Sequence, residues 1–453
     1  MKKIAAIFKN KEIVDRIFFT VVVLFIWRIG TAITVPGVTI SDFSFSDNDA
    51  FGLMNMLGGG ALQSFSIFAL GVSPYITSSI IVQLLSTDVL PALTELSKQG
   101  QAGRRKIDMT TRYLTLLLGA VQAYGIIVTM ENSSYITLAH SGFWGYAYII
   151  TIMLAGTMVT MWLGDQISVK GIGNGISMII FAGIVVSLPI QFSNAFTVWL
   201  GSKLNVGLPV AEVLTGLFQF LVYVLVFLII IIFITFIENS QRRIPVQNAG
   251  KGGRTAKYAQ ASFLPIKVNS SGVIPVIFAS SLMMAPSIIV SFISGADPNA
   301  NWLNIFSSSK MTVMPWFNNE TWNMPWGLLI YILLILGFSF LYAQMQINPE
   351  KLAENFQKNG SYIPGVRPGN ETERYVRKVV NRVTTIGAIA LAAIAALPII
   401  LTLTGAVPDQ SLALGGTGMI IVVGVAQEIG NQIDGLLAGK SFEEIKGSAG
   451  GLG

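Results

Sequence analysis

Ten long apolar runs dominate this chain of 453 residues and limit the folds that are open to it. A helix needs about 20 apolar residues to cross the hydrocarbon core of a bilayer, and each run is close to that length. Only 11% of the residues are charged, whereas soluble domains carry about a quarter. We therefore predict an all-α polytopic membrane protein with ten transmembrane helices. The predicted spans are 18–35, 72–90, 113–130, 147–163, 172–190, 213–237, 271–294, 326–346, 384–404 and 416–435.

The basic residues are confined to one side of this predicted membrane layout. All but three of the 29 Lys and Arg residues fall in the N-terminal arm, in every second loop or in the short, Gly-rich C-terminal tail. Because loops rich in Lys and Arg stay in the cytoplasm, this asymmetry predicts that both termini face the cytoplasm. The outer loops 36–56 and 295–325 contain only one basic residue between them, and we expect both to be solvated connections.

Two of the predicted cytoplasmic loops are long, at 238–270 and 347–383. Their Pro and Gly residues indicate shaped protrusions. Exposed arginines beside such turns suit an acidic protein partner or RNA phosphates, which favours a docking surface. Membrane topology by itself also places basic residues in cytoplasmic loops, so both explanations stand.

Glycines interrupt the apolar stretch 51–85. The run Gly58, Gly59 and Gly60, followed by Pro74, argues against one straight helix. The piece 57–70 is too short to cross a bilayer. It is either a loop on the outer surface or a re-entrant segment, because irregular backbone at membrane depth must be surrounded by protein or by a water-filled cavity.

The chain offers few groups for catalysis or metal binding. It has no Cys, which excludes disulfides and thiolate metal sites, and its single His, His140, falls in a polar loop without a second His as co-ligand. The phosphate-binding pattern Gly-x-x-x-x-Gly-Lys-Ser/Thr is absent. We expect no catalytic residue, metal or cofactor, and we expect a partner to supply the energy for any work.

Seven stretches resemble the SecY/Sec61 family of protein-conducting channels, in the family's order along both halves of the chain. They read LMNMLGGGALQSFSIFALG at 53–71, SPYITSSIIVQLL at 73–85, KQGQAGRRKI at 98–107, WLGDQISVKGIGNGIS at 162–177, QRRIPV at 241–246, LPIKVNSSGVIPVIFASS at 264–281 and IPGVRPG at 363–369. The resemblance implies two inverted pseudo-symmetric halves around an hourglass pore, with spans 1–5 in residues 1–190 and spans 6–10 in residues 191–453. Residues of about 57–70 would form a plug, a re-entrant half-helix that blocks the outer funnel of an idle channel.

The resemblance also assigns site residues by position. The narrowest part of the pore would be a ring of aliphatic side chains, formed by Val72, Ile76, Ile176, Ile180, Ile277 and Ile421. The plug would contain Gly58, Gly59, Gly60, Ala61, Leu62, Phe65 and Phe68. A lateral gate between the second and seventh spanning helices would contain the amides Gln83, Gln122 and Asn269. Partner docking would use Arg242, Arg243, Lys251, Arg254 and Arg367.

Physical reasoning from the residues agrees with the ring assignment in part. Val72 and Ile76 are four residues apart, as are Ile176 and Ile180, so each pair shares one helix face. An aliphatic ring seals by excluding water and offers a passing polypeptide no specific bond. Spacing by itself favours Ile and Val that face lipid or a neighbouring helix, and the family resemblance reverses that reading. Gate amides that simply join static helices are likewise a competing explanation.

The function implied by the resemblance is that of the central channel subunit of the general secretory translocase, in the cell membrane. Its partners would be the SecE and SecG subunits, the SecA motor ATPase or a translating ribosome, signal peptides and nascent chains, and the lipid bilayer. Arginines suit the docking role because they pair bidentately with carboxylate or phosphate. Arg28 matches an arginine of the family's first helix, and we expect it only to find a partner inside the membrane.

A secondary transporter of a small solute or ion is the alternative, because inverted repeats and helices broken by Gly or Pro suit both classes. A coupled transporter needs ionisable residues near the membrane midplane. Arg28 is the only basic residue inside a predicted span, and Glu428 and Asp434 lie toward the cytoplasmic end of the last one. An enzyme is disfavoured, because no His, Ser and carboxylate cluster at membrane depth supplies a nucleophile and a base.

Overall fold

The computed structural model describes Phe8 and residues 10–41, 50–86, 90–132, 134–139, 142–201, 210–248, 263–291, 303–307, 325–404 and 416–449. Its helices are α1 Lys11–Thr31, α2 Ala50–Leu57, α3 Ser73–Leu85, α4 Pro91–Lys98, α5 Gln101–Asn132, α6 Phe143–Lys170, α7 Gly175–Phe196, α8 Val210–Asn239, α9 Ile274–Ser291, α10 Trp326–Gln346, α11 Pro349–Lys358, α12 Asn370–Leu403 and α13 Gly416–Ala449. Its strands are β1 Val38–Ile40, β2 Ile136–Leu138, β3 Gln241–Pro245, β4 Gln247–Asn248, β5 Phe263–Lys267 and β6 Ser361–Tyr362. The strands form three separate antiparallel pairs, β1 with β2, β3 with β5 and β4 with β6.

A helix occupies each of the ten predicted spans, namely α1, α3, α5, α6, α7, α8, α9, α10, α12 and α13. Within the described residues, six helices are long and apolar enough to cross a membrane, those that begin at Gln101, Phe143, Gly175, Val210, Trp326 and Asn370. The predicted all-α polytopic membrane fold is confirmed. The prediction misplaced several ends, because α5 and α12 extend through polar, basic turns that have good helix propensity but no apolar signal.

The spanning helices pack largely in chain order. In the first half α3 packs on α5, α5 on α6, α6 on α7 and α1 on α6. In the second half α9 packs on α10, α10 on α12, α12 on α13 and α8 on α13. The two sets meet where α7 packs on α13 and where α9 packs on α3 and α5. This arrangement places the seventh spanning helix beside the second and third.

Two of the central helices begin with clear sequence signals. The Asn174 side chain accepts hydrogen bonds from the backbone N–H groups of Ile176 and Ser177, at 3.1 and 3.4 Å, and so caps α7. Helix α3 carries Pro74 in its first turn, where proline needs no N–H partner. With 13 residues, α3 is about 20 Å long and does not cross about 30 Å of hydrocarbon unaided.

The outer segment 36–56 is more structured than a solvated connection, so that expectation is wrong for its described part. Strand β1 pairs with β2. Helix α2 packs against α7 and α9 and buries Met54 and Met56. The burial of these two apolar side chains stabilises the segment against the spanning helices. The sequence of the loop, which has no basic residue, gave no sign of this burial.

Candidate functional site

The six residues predicted to form the pore ring all belong to one apolar cluster. Val72, Ile180, Ile277 and Ile421 are buried in it, while Ile76 and Ile176 pack against it partly buried. They come from four different helices or their ends, α3, α7, α9 and α13. The plug residues Ala61 and Phe68 belong to the same cluster. The structure therefore brings the predicted ring together at the place where both halves meet, with the plug beside it.

The predicted plug segment 57–70 is not the half-helix that the resemblance implies. Helix α2 ends at Leu57, and residues 58–72 form a succession of turns. The reason is the glycine run. Gly59 N–H donates to Met56 O at 3.1 Å and Gly60 N–H to Asn55 O at 2.8 Å. This is the Schellman pattern that ends a helix, and it needs a left-handed residue such as Gly59, whose φ is +65°.

The turns that follow the glycines bury most of the remaining plug residues. Ala61, Leu62 and Phe65 are completely buried, and Phe68 is 5% exposed. Leu62 and Phe65 pack in an apolar cluster with side chains of α5 and α6. Burial of this extent contributes roughly 1.5–3 kcal/mol for each large apolar side chain, so the plug is firmly seated in this conformation.

The end of α1 also pairs with the plug. Thr34 and Ser66 form an antiparallel bridge, flanked by hydrogen bonds of 3.0 Å from Val35 N–H to Phe65 O and from Ile67 N–H to Ile33 O. The bridge joins backbone groups and so does not depend on particular side chains. It satisfies polar groups of an irregular segment that lies between spanning helices, where an unpaired N–H is costly.

Three glycines on the surrounding helices make room for the plug. A Cβ atom on Gly183 of α7 would lie 2.7 Å from the Leu57 carbonyl oxygen and 3.0 Å from the Gly59 nitrogen. A Cβ atom on Gly156 of α6 would overlap the Ile67 carbonyl oxygen, and one on Gly30 of α1 would overlap the Phe68 ring. We call Gly30, Gly156 and Gly183 the glycine seat. At Gly156 and Gly183 the approaching atoms belong to the backbone, so only glycine permits this approach without a shift of the segment.

The three predicted gate amides differ in their hydrogen bonding. Gln83 of α3 donates to Ser79 Oγ on its own helix, at 3.3 Å. Asn269, which precedes α9 and is 3% exposed, donates to the Glu238 carboxylate at the end of α8. Among the described residues, the Gln122 Oε1 atom of α5 is buried and accepts no hydrogen bond. The gate role of these amides stays a prediction.

The two predicted docking loops are held together by strand pairing and by a shared apolar cluster. Strands β3 and β5 form a hairpin whose buried Ile244 and Ile266 pack against Ile363 and α12. Strand β4 of the first loop pairs with β6 of the second. The Tyr362 hydroxyl donates to Gln247 Oε1 at 3.0 Å across this pair. The loops therefore form one folded protrusion rather than two independent ones.

The docking arginines lie on the surface of this protrusion. Arg242 and Arg243 are exposed on β3, and the Arg243 guanidinium lies 4.8 Å from the centroid of the Phe263 ring, within cation–π range. Arg367 is exposed, and its carbonyl oxygen accepts a 2.9 Å hydrogen bond from the Thr372 hydroxyl. The remaining predicted docking residues, Lys251 and Arg254, lie outside the described residues, as does His140.

Comparison with known proteins decides the family. The sequence profile of the SecY family matches residues 66–429. The chain is 41% identical over 449 residues to the protein translocase subunit SecY of Mycoplasma capricolum, covering 97% of this chain and 90% of that protein. It is 42% identical over 446 residues to the protein translocase subunit SecY of Lactococcus lactis, covering 97% of both. The chain belongs to the SecY family.

Solved structures with this fold include SecY and Sec61 channels. One is a translocation channel in which the plug domain of SecY stabilises the closed state and maintains a membrane seal, with a TM-score of 0.60, 16% identity and coverage of 93% of this chain and 92% of that one. Another is Sec61 in the canine ribosome-channel complex from the endoplasmic reticulum, with a TM-score of 0.62 and the same identity and coverage. At this identity the likeness concerns the fold.

Membership of the SecY family settles the broad function. The chain is a multi-pass membrane protein and the central channel subunit of the general secretory translocase. It is a protein translocation channel and not an enzyme. The alternative of a secondary transporter for a small solute is not favoured, because close to the full length of the chain aligns with translocase subunits.

Sequence reasoning on this SecY-family chain missed the glycine seat and the bridge between α1 and the plug. Glycines inside α1, α6 and α7 are the only available signal, because glycine in a helix interior costs up to about 1 kcal/mol relative to alanine and needs a reason. The bridge has no signal in the pattern of residues 33–35 or 64–67. Its partners are some 30 positions apart, and nothing local marks them as a pair.

The glycine seat allows a direct test of the plug's contribution to the seal. We expect Gly183→Ala to raise the ion conductance of the idle channel, because its methyl group would press on the backbone of Leu57 and Gly59. Alanine favours the helix itself, so α7 should persist. The measurement is the single-channel conductance of the purified complex in planar bilayers without a polypeptide. The matched control is Gly337→Ala in α10, where an added Cβ meets open space. Equal conductance of the two variants would contradict the role of the seat.

Proposed function

We propose that this chain passes unfolded polypeptides with signal sequences through a pore at the ring cluster, and releases spanning segments sideways into lipid between α3 and α9. The observation that carries the proposal is the convergence of six aliphatic residues from four helices, together with the plug, in one apolar cluster. An apolar constriction stops water and ions by dewetting, yet forms no directional bond that a moving chain has to break.

The way in which the plug segment is held supports a channel that has a closed and an open state. The segment closes the outer side of the ring cluster through Ala61 and Phe68 and is held by turns and short contacts, not by a continuous helix through the bilayer. The solved SecY channel in which the plug domain stabilises the closed state supports the same role for residues 57–70 here. Displacement of the plug would leave the remaining helices in place, because they pack on one another in both halves.

The lateral gate lies, in this proposal, where α9 packs on α3 and α5. Interhelical hydrogen bonds in membranes are worth about 1 kcal/mol, so a gate that depends on amides would open at low cost. In the part of the chain that the structure describes, the buried Oε1 of Gln122 on α5 accepts no hydrogen bond, which is in keeping with a loosely joined surface. Asn269 contributes differently, by fixing the start of α9 to Glu238 at the end of α8.

The driving force comes, in this proposal, from a partner that docks on the cytoplasmic protrusion: the SecA motor ATPase or a translating ribosome. Exposed Arg242, Arg243 and Arg367 match the carboxylates of a protein and the phosphates of RNA. The canine Sec61 of similar fold occurs in a ribosome-channel complex, which supports the ribosome as one partner. We further propose SecE and SecG as companion subunits, the cell membrane as location and cytoplasmic termini, the last on the distribution of Lys and Arg.

A crosslinking experiment tests the pore. The chain has no native Cys, so a single cysteine is introduced at Ile76 or Ile180, and a secretory polypeptide with its own single cysteine is stalled midway through export. We expect a disulfide between channel and substrate that depends on stalling. The control is Leu333→Cys on α10, whose side chain is exposed away from the cluster.

The possible results separate the parts of the proposal. A crosslink at Ile76 or Ile180 but not at Leu333 places an unfolded chain at the ring. Absence of the crosslink at both ring positions, in a channel that still exports, would mean that the chain passes elsewhere. Crosslinking at Leu333 with none at the two ring positions would refute the pore assignment altogether.

A further inference from the structure

Arg28 of α1 contacts the plug directly. Its Nη1 atom donates a 2.5 Å hydrogen bond to the carbonyl oxygen of Gly59 and a 3.2 Å hydrogen bond to the Thr31 hydroxyl. Among the described residues the ion pairs do not include Arg28. A basic residue within a membrane span is costly to place and marks a functional contact. The partner here is a backbone carbonyl of the plug and not an acidic side chain.

The position of that carbonyl explains why an arginine suits it. Gly59 is the left-handed residue of the Schellman turn that ends α2. The C-terminal end of a helix carries partial negative charge from carbonyl groups that have no partner within the helix. A guanidinium at this point forms a charge-assisted hydrogen bond, which is about twice as strong as a neutral one. Arg28 therefore stabilises the turned conformation of the plug.

Arg28 completes a set of links between α1 and the plug. The Ser64 hydroxyl donates to Thr31 O at 3.0 Å, and the bridge of Thr34 with Ser66 follows two residues later. Helix α1 thus holds the plug at its first turn, its middle and its second half. The Arg28 link differs from the bridge, because it depends on one side chain and can be removed by substitution without altering the plug sequence.

We propose that Arg28 is a positioning residue that latches the plug in its closed place through Gly59, and that it thereby sets how strictly the channel rejects defective signal sequences. The inference rests on the proposed function of residues 57–70 as a plug. A signal sequence that inserts weakly supplies less free energy for moving the plug. Loss of the latch lowers the free energy needed, so weak signal sequences gain more than strong ones.

The test compares Arg28→Met with the parent channel for export of a reporter that carries either a defective or an intact signal sequence. We expect export of the defective reporter to rise about tenfold, which corresponds to loss of one charge-assisted hydrogen bond, while export of the intact reporter changes little. Arg28→Lys retains the charge but has only one donor atom. Its export of the defective reporter should lie between that of the parent channel and that of Arg28→Met. Should Arg28→Met not accumulate in the membrane, Arg28→Gln is used in its place.

A deletion of residues 60–68 separates the latch from the plug function. If Arg28 acts through the plug, Arg28→Met should add nothing to the export of the defective reporter in the deleted channel. An additional rise there would overturn the latch, because Arg28 would then act elsewhere. A deletion that leaves stringency unaltered would instead overturn the proposed role of the plug.

A second measurement reports the latch independently of export. Ser66 is fully buried, so Ser66→Cys reacts with a water-soluble thiol reagent only while the plug is displaced. In the idle complex with Arg28→Met, we expect the rate of this reaction to rise about tenfold relative to Arg28, for the same lost hydrogen bond. An unchanged rate would overturn the latch even if the export results could be explained by the plug alone.

Discussion

A disulfide between Thr34→Cys and Ser66→Cys should abolish export in the crosslinked fraction of channels, and reduction should restore it. The two positions form the bridge between the chain after α1 and the plug. Its hydrogen bonds, Val35 N–H to Phe65 O and Ile67 N–H to Ile33 O, flank the pair. In an antiparallel pair of this kind the Cα atoms lie about 4.5 Å apart, which a disulfide accommodates. In the proposed mechanism the plug leaves the ring cluster before a polypeptide passes, so the covalent link should hold the channel closed.

The matched control is a second disulfide with the same geometry outside the plug. Val38 of β1 pairs with Leu138 of β2, and Ala139 N–H donates to Gly37 O beside them at 2.9 Å. Oxidation of Val38→Cys with Leu138→Cys should leave export unchanged. Because the chain has no native Cys, each double variant can form only the intended disulfide within the chain. The crosslinked fraction is measured on gels. Full export by channels that are completely crosslinked between positions 34 and 66 would show that the plug need not part from α1.

Charge reversal at Arg367 should abolish motor-driven export while the protein remains inserted. Arg367 is exposed, and its backbone is fixed by the Thr372 hydroxyl and by the turn at Gly365, whose φ is +82°. The substitution Arg367→Glu therefore alters the charge of the surface and leaves the loop's own contacts in place. Arginines at the centre of an interface commonly contribute 2 kcal/mol or more, so we expect a loss of about 30-fold or greater in SecA-dependent export by inverted vesicles.

The control for Arg367 is an equal change of charge nearby. Arg374 is exposed on α12 two turns further along the chain, and Arg374→Glu changes the net charge by the same amount. We expect it to retain most of the export activity, because a general electrostatic attraction is screened by salt whereas a docked contact is not. If both variants lost export equally, the protrusion would attract its partner through net charge and Arg367 would have no individual role.

The predicted ring could be read from the sequence only with the help of the family resemblance. The spacing of Ile176 and Ile180 indicates a shared helix face but not the direction in which that face points. The structure adds the packing of α7 on α13 and of α9 on α3, which turns these faces toward one another. Helix rotation depends on all neighbours at once, so it is not contained in any single segment.

The predicted plug segment was also only partly predictable from the sequence. The glycine run at 58–60 predicted an interruption, because glycine alone has the required conformational freedom. It did not predict that the helix would precede the glycines, because α2 is stabilised by the burial of Met54 and Met56 against spanning helices that are distant in the sequence. The contact of Arg28 with Gly59 spans 31 positions and is likewise absent from any local pattern.

The sequence by itself determined the all-α polytopic fold, with a helix in each of the ten predicted spans, and the presence of a broken segment after the first span. Insertion into a bilayer depends on the length, hydropathy and flanking charge of each segment taken alone, and these are local properties. Only the tertiary structure decided where the turns at 58–72 lie, which helix glycines they approach, and that Arg28 donates a hydrogen bond to Gly59. Those contacts depend on how the helices pack side by side, and packing is set by shape and close approach between residues that are far apart along the chain.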